Sequence, residues 1–190
     1  KKKYYSSNQV EYSLSKGAGC NVPLINMNIH CSGTHTESAN HIVSEGKLIS
    51  DIQNTDFISS QLISVSPETS TDENYHAAYN DNDRIITKNI LTSIEFDLDF
   101  INSIIIRTLP NDDSKKTMNY NNVHHPFLTN DAIRYIKQMG VKHILIDTPS
   151  IDRYDDDGKL GNHHIFFIDN EKPNLNTITE LVFVPNSCAN

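Results

Sequence analysis

The stretch Thr129-Asn130-Asp131-Ala132-Ile133-Arg134-Tyr135-Ile136-Lys137-Gln138-Met139-Gly140-Val141-Lys142-His143-Ile144-Leu145-Ile146-Asp147 decides the fold class. Thr129 offers a hydroxyl to cap a helix, Asp131 sits in its first turn, and Ile133, Ile136 and Met139 share one face. This pattern predicts a helix over 129–139, ended by Gly140. Ile144-Leu145-Ile146 then forms a short unbroken aliphatic run, the mark of a strand buried on both faces. Helix, glycine, buried strand is an α/β signature, so a mixed central sheet with flanking helices is expected.

Further runs with strand character are Leu24 to Ile29, Ser103 to Arg107 around Ile104-Ile105-Ile106, Ile165 to Ile168, and Leu181 to Val184. Between them, Pro67 to Asp83 and Leu109 to Pro126 are polar and read as loops. His76, His124 and His125, which lie in them, read as solvated loop histidines. No repeat or linker divides the chain, so residues 1–190 are expected to form a single domain, long enough to bury a core. The net charge of −8 argues against nucleic acid or an anionic membrane as partner, since both reward basic patches. The three cysteines, Cys20, Cys31 and Cys188, form no disulfide framework and suggest a reducing compartment. No apolar run approaches a membrane span, and no apolar segment of a secretory signal follows Lys1-Lys2-Lys3. A cytoplasmic location is the expectation.

The chemistry concentrates in His30-Cys31-Ser32-Gly33-Thr34-His35-Thr36-Glu37-Ser38-Ala39-Asn40-His41, where three imidazoles, a thiol and a carboxylate fall within twelve residues. Packing does not demand such a set, whereas zinc or a similar divalent ion does. If the chain leaves a strand near Ile29 in extended form, Cys31, Gly33, His35 and Glu37 point to one side. His35 and Glu37 are then natural co-ligands. His41 can fold back over the site without being a ligand, placed for proton transfer. His30 has the wrong parity unless a bulge intervenes, and Cys31 the right one; between them the choice is open.

A second cluster begins where Ile144-Leu145-Ile146 runs into Asp147-Thr148-Pro149-Ser150-Ile151-Asp152, at a strand end of the kind where α/β sites form. Asp147 and Asp152 read either as orienting groups or as turn caps. Asp155-Asp156-Asp157-Gly158 lacks the glutamate of a calcium loop and reads as a solvated acidic turn. Of His163 and His164, entering the run Ile165-Phe166-Phe167, one is expected to face inward as a ligand. Glu180, ahead of Leu181-Val182-Phe183-Val184, is costly to bury unless it binds a metal or pairs with Arg107 or Lys142.

Together these residues resemble the cyclase family of metal-dependent hydrolases, which includes bacterial kynurenine formamidase and isatin hydrolase. The family signature is His-x-Gly-Thr-His-x-Asp-x-Pro-x-His, against Cys31-Ser32-Gly33-Thr34-His35-Thr36-Glu37-Ser38-Ala39-Asn40-His41 here. Asp147 to Asp152, then His163, then Glu180 follow the later family pattern, and Ile106-Arg107-Thr108 resembles a recurring strand end. In this chain Cys31 stands at the first histidine, Glu37 replaces the usual aspartate, and Ala39 the usual proline. The resemblance implies a swivelling β/β/α fold and a divalent site, usually zinc and sometimes manganese-bearing. It implies His35, Glu37, His163 and Glu180 as metal ligands, His30 as a ligand if a one-residue bulge intervenes, and His41 as the catalytic acid/base. It also implies a homo-oligomer acting on a small-molecule substrate. The function expected is arylformamidase-like hydrolysis of a small amide, lactam or ester, with metal-bound hydroxide as nucleophile. The alternative is a non-catalytic member that binds metal or ligand without turnover.

Overall fold

A computed structural model describes residues 3–52, 57–121 and 123–190. They fall into two compact units, Lys1–Gly33 and Thr34–Asn190.

In the first unit, Ser6–Ser7 pairs antiparallel with Val10–Glu11. The tight turn between them needs left-handed backbone, which Asn8 and Gln9 supply at φ 50 and 66. Lys3–Tyr4 pairs antiparallel with Pro23–Leu24. The strand expected over Leu24 to Ile29 is therefore reduced to its first residue. Ile25, Met27 and Ile29 are exposed, and Ile29–Cys31 coils into a 3-10 turn. That turn breaks the two-residue alternation, so the parity argument that separated His30 from Cys31 has no strand to run along.

The second unit is built on five strands: β1 (His35–Ser38), β2 (Ser60–Val65), β3 (Ser103–Thr108), β4 (His143–Ile146) and β5 (Thr177–Glu180). Their order is β1-β5-β4-β3-β2. β2 to β5 run parallel, and β1 closes one edge antiparallel to β5. The expected mixed central sheet is thus present. Ile63, Ile106 and Ile146 stand side by side across three strands, as do Ile104, Ile144 and Ile178, all buried. They join one apolar cluster with residues of three helices, α1 (Lys88–Thr92), α2 (Asn130–Gln138) and α3 (Gly161–Phe167). Ile105 and Leu145, on the opposite face, are only half-buried. The strands are therefore sealed on one face, not on both as the aliphatic runs implied.

Helix α2 matches its sequence signals. The Thr129 hydroxyl accepts the Ala132 amide at 2.9 Å, and Gly140 leaves the helix at φ 84. Two other expectations are corrected. Ile165 to Ile168 is mostly helix α3, because Asn162, His163, Phe166 and Phe167 bury one face at helical spacing. His163 and His164 therefore lie on a helix rather than entering a strand. The last strand is Thr177–Glu180 instead of Leu181 to Val184, since the chain turns out at Leu181 with φ 55. Among the described residues, no helix is long and apolar enough to cross a membrane.

Candidate metal centre

Strand geometry assembles the site. His35 and Glu37 are two residues apart on β1 and so project to the same face. The antiparallel register sets Glu180, the last residue of β5, opposite His35. His35 Nε2 lies 3.5 Å from Glu180 Oε2 and 4.0 Å from Glu37 Oε2. One ligand-capable atom from each of His35, Glu37 and Glu180 falls within 4.8 Å of the others, and all three side chains are nearly sealed from solvent. The other Glu180 oxygen, Oε1, accepts the Ile151 amide at 3.1 Å.

Helix α3 delivers His163 to the same place. Its Nδ1 is 2.6 Å from Asp152 Oδ2, and its Nε2 is 2.7 Å from Glu37 Oε1 and 3.7 Å from Glu180 Oε1. Burial alone would push this imidazole down, but its hydrogen bonds to Asp152 and Glu37 outweigh burial and lift it to about 10. Asp152 also fights burial and is held below the usual carboxylate range by His163 and by the Asn162 and His163 amides. Glu180 moves the opposite way. Burial raises it, and the nearby Glu37 charge adds to the rise, against the pull of His163.

His41 occupies the outer side. Its Nε2 is 3.6 Å from Glu37 Oε2, and its side chain is 26% exposed where that of Glu37 is 3%. Its ring centroid stands 5.7 Å from that of His163. The arrangement therefore has a buried floor of carboxylates and imidazoles, with His41 on its solvent-facing side. Glu37, Asp152 and Glu180 are three buried acids, and Glu180 is driven toward its neutral form by burial first and by the neighbouring carboxylates second. The raised His163 imidazole answers part of that negative charge, a divalent ion would answer the rest, and imidazole with carboxylate is a donor set suited to zinc or manganese. The residues fit a divalent ion.

Within the second unit, His35, Glu37, His41, His163 and Glu180 come together. His30 and Cys31 belong to the first unit, on the exposed 3-10 turn Ile29–Cys31. His164 points to solvent. Asp152 is an orienting group, bonded to the His163 ring, whereas Asp147 accepts the Thr108 amide at 2.9 Å and Lys115 Nζ at 2.7 Å instead. Arg107, one partner considered for Glu180, donates instead to Ser64, to the Pro185 and Cys188 carbonyls and to Asn190. The reading of loop histidines as solvated holds for His124 and fails for two others. His125 is buried, and His76 Nε2 sits 2.9 Å from Asp156 Oδ2. Asp156 is itself buried, so the acidic turn is not wholly solvated. Sequence reasoning missed Tyr75, whose hydroxyl lies 3.3 Å from Asp152 Oδ1; its partner is 77 positions away, beyond any local pattern.

Comparison with solved structures places the fold. A structure described as "Potential Metal-Dependent Hydrolase With Cyclase Activity" aligns with a TM-score of 0.57 at 16% identity, covering 87% of this chain and 69% of the other. A "predicted metal-dependent hydrolase from Bacillus stearothermophilus" aligns at 0.57 and 17% identity, covering 100% and 74%. An isatin hydrolase bound to the product analogue thioisatinate aligns at 0.56 and 15% identity, covering 95% and 69%. At these identities the likeness is one of fold. No curated protein sequence matches the chain. The Cyclase family model matches residues 4–153, a span that takes in His35, Glu37, His41 and Asp152 and stops short of His163 and Glu180. Since that span is well over half of the 190 residues, the chain belongs to the Cyclase family.

Proposed function

We propose that this protein is a metal-dependent hydrolase of a small amide, lactam or ester. The observation that carries the reading is the convergence of Glu37 and Glu180 on His35 inside a buried, acid-crowded floor, with His41 at its solvent-facing edge. His35, Glu37 and Glu180 would hold a divalent ion, most simply zinc, with His163 turning its Nε2 to the same centre. Bound there, such an ion supplies an activated water and polarises a carbonyl.

The chain's own residues do the rest. Asp152 fixes the His163 ring through Nδ1, leaving Nε2 directed at the carboxylates. The buried floor excludes bulk water, which strengthens every charge interaction within it. Substrate enters from the His41 side, the exposed edge of the cluster. His41 Nε2 then holds a proton for the departing nitrogen or oxygen, with Glu37 3.6 Å away to orient the ring. Isatin, the substrate named for one structural neighbour, and a simple aryl formamide are the first compounds to try.

The test is elemental analysis of protein purified without chelator or histidine tag, followed by hydrolysis assays before and after metal stripping. Stoichiometric zinc or manganese with turnover lost on stripping and restored on reloading is the expected result. Metal without turnover across amides, lactams and esters would favour a binding protein of the same fold. Protein that neither carries a divalent ion nor gains thermal stability from one refutes the reading.

A further inference from the structure

We infer that the loop 67–83 positions His163 through Asp152, with Tyr75 and His76 as positioning residues for the metal centre. The inference rests on the metal reading above. Asp152 is the hub. Its Oδ2 accepts from His163 Nδ1 at 2.6 Å and from the His163 amide at 3.2 Å. Its Oδ1 accepts from the Asn162 amide at 2.9 Å and from the Tyr75 hydroxyl at 3.3 Å. A carboxylate held at both oxygens cannot swivel, so neither can the ring bonded to it.

Tyr75 serves Asp152 as a donor because its own acceptor role is taken: its oxygen accepts the Arg153 amide at 2.8 Å. Burial and the Asp152 charge keep the phenol protonated, over the opposing pull of that amide. His76 braces Tyr75 from behind, ring against ring at 4.1 Å, and Phe127 closes the other side at 4.8 Å. The hydrogen bonds of His76 fix its tautomer. The Asp156 carboxylate, 2.9 Å from Nε2, calls for the proton there, which leaves Nδ1 to accept from Asn130 Nδ2 at 3.1 Å; the Gly161 amide, at a longer 3.4 Å from Nε2, is the weaker competitor. Asp156 in turn accepts the Lys159 and Leu160 amides.

His76, Asp152 and Asp156 do offer three ligand-type atoms within 4.8 Å of one another. Their donors and acceptors are nevertheless matched within the protein, so the group is a hydrogen-bonded brace. Gly161 shows how closely it is fitted. A Cβ built there would collide with His76 Nδ1, so the ring seats against the first residue of α3, one turn or less before His163. The loop thus grips both the carboxylate that aims His163 and the start of the helix that carries it.

The test uses two readouts on the full chain. One is the downfield Nδ1–H proton resonance of His163 in metal-free protein, and the other is Co2+ affinity with its visible absorption spectrum. Tyr75→Phe, which deletes only the hydroxyl, and His76→Ala are expected to shift the resonance. Both should weaken Co2+ binding roughly 10–100-fold with an altered spectrum. His76→Gln keeps a donor for Asp156 and is expected to restore most of both. An unmoved resonance with unchanged Co2+ binding in Tyr75→Phe and His76→Ala overturns the inference. If the unsubstituted protein binds no Co2+, the metal reading fails separately, and the resonance alone decides: shifted, it supports the brace; unmoved, it overturns it.

Discussion

Asp152 and Glu180 are both buried carboxylates that face His163, one from behind the ring and one from in front. Asp152 is met by two backbone amides, a phenol and the imidazole, and stays ionised in spite of its burial. Glu180 has the single amide of Ile151, stands near a second glutamate, and is driven toward its neutral form. The rear of the site is therefore the more fully compensated, whereas at the front Glu37 and Glu180 share the imidazoles of His163 and His35. A protein that buries Glu37 and Glu180 side by side against the imidazoles of His35 and His163 stabilises that front most directly by binding a cation. The rear is framework, and the front is the working surface.

Substitution on each side breaks this contrast most sharply. Glu37→Gln keeps shape and the capacity to accept from His163 while removing one crowding charge. It should lower zinc affinity by more than about 100-fold and abolish hydrolysis, with little change in the thermal midpoint of the metal-free protein. Isothermal titration with zinc and a melting curve read both. Asp152→Asn should do the reverse in the metal-free state. It leaves the amides of Asn162 and His163 and the His163 ring against a poorer acceptor, at a cost of roughly 3–5 kcal/mol in stability by denaturant melts. If Glu37→Gln unfolds the protein and Asp152→Asn does not, front and rear have been assigned the wrong way round.

His41 offers a cleaner separation of binding from chemistry. Its side chain lies outside the tight group formed by His35, Glu37 and Glu180, at the solvent edge. His41→Gln is expected to keep its metal, by elemental analysis, and to lose roughly 10²–10⁴-fold in kcat. Loss of metal in this variant would move His41 from proton donor to ligand.

Much of this was legible in the chain, for a physical reason. The helix 130–138 and strands β3 and β4 announce themselves because capping, periodicity and aliphatic runs are local. His35 and Glu37 were readable as co-facing because a strand has a period of two, and Glu180 because a carboxylate beside four apolar residues is anomalous. Helix α3 was misread because Ile165-Phe166-Phe167 is a short apolar run, which periodicity alone cannot assign. The brace was invisible. Tyr75 and His76 sit in a polar loop, and their partners Asp152 and Asp156 lie 77 and 80 positions away. Composition reads such a loop as solvent-facing, and only the tertiary structure shows it turned inward.

The smallest effect tests the same principle away from the site. His125 is buried like His163, though slightly less completely, yet its imidazole is pushed down, not up. Burial dominates there, with the Pro126 carbonyl, 2.9 Å from Nδ1, giving only partial relief. Among the described residues no ion pair joins a carboxylate to it as Asp152 and Glu37 are joined to His163, and the pull of the Asp152 charge on it is weaker than burial. A histidine whose folded pKa lies below its unfolded value near 6.5 binds fewer protons folded than unfolded. Its neutral burial costs the folded state nothing above that pH. As pH falls below it, the unfolded chain gains the proton first, and stability declines until the folded pKa is passed. His125→Gln removes this proton uptake, so the fall in the denaturation midpoint as pH drops below about 6.5 should become shallower than in the unsubstituted protein. An unchanged acid limb would mean that His125 is already compensated in the folded state. Burial without a carboxylate partner would then no longer explain why these two histidines move in opposite directions.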